Sequence, residues 1–344
     1  MMSSSQLIGK SYRGAKLLLK SPINLIKRNL YINDFKPELV VFSLTDRCQS
    51  RCSHCNIWKI RDYRKEMTPE EIGRIFSDSF FSEMKSIIVS GGEITLRHDL
   101  KNVLWNINNA MPGISICVST NGLLPDRMID TVKYCMEHGL NLVVGISLDG
   151  VGEKHDNVRG MPGNFKKVDY LVDELVKIRD EYPRLNIILG ITHSESTHDS
   201  VDETKAYAMG KGVDFVPQIA EEGAFYRNYG DIKNTSNEKM LKVLSTLKDS
   251  SHVDFAIRFF MGDPVKFKCF ALNKFFVLQA NGDISPCLRY SNIFVGNLRT
   301  QSPAEIYTTE KMIKAKRMVK NCKGCLNTWV WDLSVNSYDP SLLN

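Results

Sequence analysis

Cys48, Cys52 and Cys55 lie in the run Cys48-Gln49-Ser50-Arg51-Cys52-Ser53-His54-Cys55. Three thiolates so spaced on one loop suit a cubane 4Fe–4S cluster, whose natural ligands are soft sulfurs. They leave the fourth iron open to an outside ligand. Taken alone, three cysteines also fit zinc or a structural cluster. A second set, Cys269, Cys287, Cys322 and Cys325, ends in a CxxC pair. By spacing, zinc and a fully ligated cluster are both open to it. Cys117 and Cys135 remain, and they read as small buried hydrophobes in a strand and a helix.

Other residues are placed for ligand binding. Ser90-Gly91-Gly92-Glu93 follows an apolar run, and two glycines at a strand end let a ligand approach the backbone. Alone, the motif is equally a tight turn. A run ending in Ser147-Leu148-Asp149-Gly150 precedes His155-Asp156-Asn157-Val158-Arg159-Gly160. A hydroxyl and a guanidinium there suit a shared carboxylate, which Arg grips in bidentate fashion. Asp149 itself is balanced between such a role and a turn-forming Asp-Gly. His54 precedes the third cysteine, and Ser119-Thr120-Asn121-Gly122 and Thr192 stand at two further strand ends.

These residues need a scaffold that brings strand ends together. Apolar, β-branched runs predict strands over 38–45, 85–90, 113–120, 140–148, 185–192 and 213–218. Helical patterns occupy 68–80, 98–110, 125–138, 164–181 and 198–211, the first opened by Thr68, Pro69 and Glu71 as a capping box. Such alternation predicts an α/β fold with a parallel sheet and right-handed crossovers. Residues 219–252 read as a connector with a helix near Glu238–Lys248. Beyond it, Asn281-Gly282 between apolar runs predicts a hairpin, and a helix spans 303–320.

The ordered motifs resemble those of the radical SAM superfamily, with a C-terminal region similar to its Twitch (SPASM-like) domain. The resemblance covers about residues 38–335. It implies a partial (β/α)6 barrel over 38–218 and a small α+β auxiliary-cluster domain over 253–335, flanked by a basic extension (1–37) and a tail (336–344). It also implies two 4Fe–4S clusters and S-adenosylmethionine (SAM), whose reductive cleavage yields a 5′-deoxyadenosyl radical. Cys48, Cys52 and Cys55 would then hold the SAM cluster. Gly91, Gly92 and Glu93 match the family's GGE segment, with Ile94 where proline is frequent. His54 takes the place of an aromatic beside adenine, and Ser119, Asn121, Ser147, Arg159 and Thr192 border the SAM pocket. Cys269, Cys287, Cys322 and Cys325 would ligate the auxiliary cluster.

Nine cysteines without a signal peptide argue against a secreted disulfide framework and for a reducing, cytoplasmic compartment. The net charge of +6 is local: residues 1–33 carry Lys10, Arg13, Lys16, Lys20, Lys27 and Arg28 and no acid. The remaining 39 basic residues balance 39 acidic ones, so a nucleic-acid-binding core is not expected. The basic segment, read as two short amphipathic helices, packs on the barrel or touches an anionic membrane or acidic partner. The expected activity is hydrogen abstraction from a small biosynthetic substrate, including two-electron oxidation, with electrons from a flavodoxin or ferredoxin-type donor. A peptide maturase is the alternative, although residues 1–37 are short for a winged-helix recognition domain. A non-catalytic iron–sulfur carrier, from another class, would have no use for Gly91, Gly92, Ser147 and Arg159.

Overall fold

The computed structural model describes residues 25–26, 36–229, 238, 241, 244, 251–263, 267–322, 327 and 334. The N-terminal helices, most of the connector helix and Cys325 fall outside that set. Six parallel strands cross one sheet in chain order: β1 (Leu39–Thr45), β2 (Ser86–Gly91), β3 (Ser115–Thr120), β4 (Asn141–Ser147), β5 (Asn186–His193) and β6 (Asp214–Ile219). Each lies within two residues of the apolar run that predicts it. The crossovers carry α1 (Pro69–Phe76), α2 (Leu100–Ala110), α3 (Pro125–Glu137), α4 (Glu153–Arg159), α5 (Asn164–Glu181) and α6 (Val201–Gly210).

Strand periodicity separates two faces. Val40, Phe42, Leu44, Ile87, Val89, Ile116 and Val118 pack on the helix side with Ile72, Val103, Val132 and Leu171. Their alternates Leu39, Val41, Ile88 and Cys117 turn to the other face, where they meet the C-terminal part of the chain. Both faces of β1 are buried along its whole length, as parallel strands require. The α1 cap forms as predicted: the Thr68 hydroxyl accepts from the Glu71 N–H at 3.2 Å, and the Glu71 carboxylate accepts from the Thr68 N–H at 2.9 Å.

The short helix α4 has no periodic signal, and it carries Arg159. It stops at Gly160, whose φ of +61° is left-handed and whose Cβ, were there one, would lie 2.8 Å from the Arg51 carbonyl. Only glycine fits that crossing of α4 over the cysteine loop.

Beyond α7 (Ser251–Met261), the C-terminal region builds onto the same sheet. Strand β7 (Phe275–Leu278) pairs parallel with β1, Leu39 facing Phe275. The predicted Asn281-Gly282 turn then leads to β8 (Asp283–Ser285), and β9 (Gly296–Asn297) completes the order β6-β5-β4-β3-β2-β1-β7-β8-β9. The helix expected over 303–320 is two: α8 (Pro303–Tyr307) and α9 (Glu310–Lys320). Thr309 interrupts it, its side chain capping α9 through the Met312 N–H. No described helix is long and apolar enough to cross a membrane.

Candidate functional site

The loop after β1 is clamped on both sides. On one, the Arg51 and Ser53 N–H groups donate to the Arg159 and Val158 carbonyls, each at 2.9 Å, tying the loop to the end of α4. On the other, the Asn56 N–H donates to the Tyr226 carbonyl at 2.8 Å and the Asn228 amide to the His54 carbonyl at 2.9 Å. Held so, Cys48, Cys52 and Cys55 line one cavity. Burial pushes the Cys48 and Cys55 thiols up to about 12, so their thiolates need cationic company.

At the end of β2, the Gly92 N–H donates to the Thr45 carbonyl at 2.7 Å. A Cβ on Gly92 would sit 2.1 Å from the Arg47 carbonyl and 3.1 Å from the Cys48 side chain. The glycine therefore permits the cysteine loop to lie against the strand end. Glu93 points the other way, fully buried and absent from the cavity lining. Its carboxylate accepts from the Thr95 N–H (3.0 Å) and hydroxyl (2.6 Å), the Thr120 hydroxyl (2.8 Å) and the Asn121 N–H (2.7 Å). It fastens the ends of β2 and β3 together, and thereby places Asn121, whose amide lies 4.0 Å from the Cys48 sulfur.

Arg159 is that company for Cys55 and lies against Cys52. Its Nε lies 2.6 Å from Asp149 Oδ2, and its Nη1 donates to the Cys52 sulfur at 3.5 Å. Asp149 is a wholly buried partner rather than a turn residue, and its Oδ1 accepts from the Thr192 N–H at 2.9 Å. Burial, the largest single effect, opposes its ionised form, yet Arg159 and the polar groups around it, the Thr192 N–H among them, together outweigh it and hold the carboxyl below the usual carboxylate range. The Asp149 N–H donates to His155 Nδ1 at 3.0 Å, which fixes the His155 tautomer. Burial pulls His54 and His155 down to about 4, so both rings are neutral at pH 7.

His54, Gly91, Gly92, Ser119, Asn121, Ser147, Arg159 and Thr192 all line the cavity with the three cysteines, at the C-terminal ends of the strands. Parallel barrels keep their active sites at that end. Sequence reasoning missed Gln218, Glu221, Phe225 and Tyr226, which line it from the end of β6 and the segment after it. Gln218 follows the same strand-end rule as Thr192 and was findable. Glu221, which supplies the lining's carboxylate among the described residues, lies past the last periodic signal. This segment also reaches the residues that follow Cys287, since the Ala224 and Phe225 N–H groups donate to the Arg289 and Leu288 carbonyls at 3.1 Å.

Cys269, Cys287 and Cys322 belong to one apolar cluster with Phe267, Phe255 and Met318, on the β7 side of the sheet. Burial raises the Cys287 thiol to about 11, against N–H donors from Tyr290 and Arg289. The Ala271 N–H donates to the Cys269 sulfur at 3.5 Å. Soft donors approached by N–H groups in an apolar shell fit an iron–sulfur cluster. The first trio fits one too: three thiols facing a common cavity, a guanidinium beside one of them, and a strand end open to backbone approach.

Two family models match the chain, the radical SAM superfamily over residues 42–204 and the iron-sulfur cluster-binding SPASM domain over residues 269–326. The chain is 24% identical over 84% of its length to the AdoMet-dependent heme synthase of Methanosarcina barkeri, covering 87% of that protein. It is 22% identical over 85% of its length to the sporulation killing factor maturation protein SkfB of Bacillus subtilis, covering 70% of it. Matches at 32–36% identity run over 136–147 residues and span only 35–43% of those relatives. Among solved structures, Streptococcus suis SuiB bound to S-adenosylmethionine superimposes with a TM-score of 0.68 at 15% identity, over 90% of this chain and 77% of that one. The fold is thus the partial barrel of radical SAM enzymes. The pair of domains implies SAM and two 4Fe–4S clusters. This chain carries a radical SAM domain followed by a SPASM iron–sulfur domain.

Proposed function

We propose that the chain is a radical SAM enzyme that abstracts a hydrogen atom from an organic substrate. The observation that carries this reading is the convergence of Cys48, Cys52 and Cys55 with Gly91, Gly92, Ser147 and Arg159 on one cavity. Bound there, a reduced 4Fe–4S cluster and SAM supply a 5′-deoxyadenosyl radical. The chain's own part is to bind and orient. The cysteine trio holds the cluster, and the glycines give the SAM amino group access to backbone carbonyls. Arg159, fixed by Asp149, presents its charge to the carboxylate end, while neutral His54 offers a flat ring for the adenine. Cys269, Cys287, Cys322 and Cys325 hold the auxiliary cluster, suited to accept the electron of a two-electron oxidation.

The substrate is a small biosynthetic molecule in this reading, supported by the match to a heme synthase. A peptide substrate is the second reading, supported by the match to SkfB over a similar share of the chain. Electrons come from a flavodoxin or ferredoxin-type donor in the cytoplasm, and the basic residues 1–33 give the enzyme a weak hold on anionic surfaces.

Protein reconstituted without oxygen and reduced with dithionite is expected to convert SAM to 5′-deoxyadenosine. Tetrapyrroles and precursor peptides encoded nearby are then added separately, and the class that accelerates cleavage and gains a mass change is the substrate class. Loaded protein that makes no 5′-deoxyadenosine under any of these conditions refutes the reading.

A further inference from the structure

A second cavity lies beside the first, between the top of β1, the segment after the cysteine loop and residues 291–294. Ile57 and Phe225 line both cavities and mark where the two adjoin. The second is the more polar, and its charged lining residues are Asp46, Arg64 and Arg227.

Arg64 is built into place. Its Nε lies 2.9 Å from Asp46 Oδ2, and its Nη1 donates to the Gln279 side-chain carbonyl at 2.5 Å. Gln279 is itself wholly buried, its amide held by the Ser285 hydroxyl and the Ser291 carbonyl. Asp46 is 5% exposed, so one guanidinium is fixed through two buried groups. Arg227 differs: it is exposed, no hydrogen bond or ion pair reaches its guanidinium among the described residues, and its backbone stands at φ +51°, a conformation that side chains other than glycine rarely take. The Asn56 amide holds it there, donating to the Arg227 carbonyl at 3.0 Å. Asn292 adds an exposed amide to the same lining. With Asp46 neutralising one arginine, the described lining keeps one net positive charge and a guanidinium without a partner among the described residues. Such a fork matches a planar or tetrahedral oxyanion.

We propose that this second cavity seats an anionic group of the substrate, a carboxylate or a phosphate, while the reacting part lies past Ile57 and Phe225 in the first cavity. The proposal rests on the radical SAM reading for the first cavity and adds the chemical class of what enters it. An acidic small molecule and an acidic peptide side chain are both served by it; a substrate without an anionic group is not.

The test uses full-length reconstituted protein and two probes, tricarballylate and inorganic phosphate, titrated calorimetrically. At least one is expected to bind with a Kd on the order of 1 mM. Arg227→Gln and Asn292→Asp, each checked for iron content, should weaken that binding about tenfold or more. Tricarballylate alone identifies a carboxylate site, phosphate alone a phosphate site, and both together a general oxyanion site. No binding of either probe at ~20 mM, or unchanged affinity in both variants, overturns the proposal. SAM cleavage by the wild-type protein is measured in parallel. Anion binding without cleavage counts against the radical SAM reading alone; cleavage without anion binding counts against this one alone.

Discussion

At the scale of single residues, Arg159 joins three features that the sequence lists separately. It neutralises Asp149, touches the Cys52 sulfur and lines the SAM-side cavity. Removing one partner of a buried ion pair leaves the other uncompensated, at a cost of about 3–5 kcal/mol. Arg159→Ala is therefore expected to lower stability by that order and to reduce iron at the first site, with SAM affinity falling as a consequence. Iron analysis and equilibrium unfolding check this. A variant that loses SAM affinity with stability and iron intact would mean that Arg159 serves only the ligand. The ion pair could not be read from the sequence, where Asp149-Gly150 is an ordinary turn dipeptide and only the folded register brings α4 over the end of β4. Glu93 has the same history. The GGE match speaks of backbone access and says nothing of where the carboxylate goes; in the fold Glu93 spends its acceptor sites on Thr95, Thr120 and Asn121.

At the scale of elements, the strand end of β2 decides where the cysteine loop can lie. A Cβ at Gly92 would meet the Arg47 carbonyl at 2.1 Å, and backbone atoms cannot yield as a flexible side chain does. Gly92→Ala is accordingly expected to displace the loop and cut iron from about eight to about four per chain, with the auxiliary site retained. Full iron content in this variant would show that the loop has another position available. The elements themselves were largely legible: six β-branched runs became six strands, because parallel strands buried on both faces must be apolar throughout. The segment over 221–229 was not. Its partners, His54, Asn56, Leu288 and Arg289, are distant in sequence, and its residues follow no period. Nor was the pairing of β7 with β1, since a short apolar run carries no mark of which sheet it joins.

At the scale of the molecule, the cysteine loop after β1 and the stretch after Cys287 belong to one sheet's strand ends, and the segment over 221–229 hydrogen-bonds to both. Stability of the whole should fall in mild acid. His155 and His193 are buried, and burial lowers both to about 4, below the ordinary value of 6.5. Between these values the unfolded chain binds protons that the folded chain refuses, so stability is complete above about pH 6.5 and declines as pH falls. The loss at pH 5.5 is about 1 kcal/mol for each histidine. Thermal unfolding at pH 7.5 and 5.5 measures it, and His193→Leu should remove that residue's share of the difference. An unchanged difference would show that His193 titrates normally.

The central claim is that the two cysteine sets hold separate clusters and that the one on Cys48, Cys52 and Cys55 serves SAM. Iron content and 5′-deoxyadenosine formation, measured together on two variants, test it most directly. Cys48, Cys52 and Cys55 changed together to Ala should leave about four irons per chain and no 5′-deoxyadenosine. The matching change of Cys269, Cys287, Cys322 and Cys325 should also leave about four irons but keep SAM cleavage without substrate turnover. Cleavage that survives loss of the first trio, or disappears only with the second set, would contradict the account.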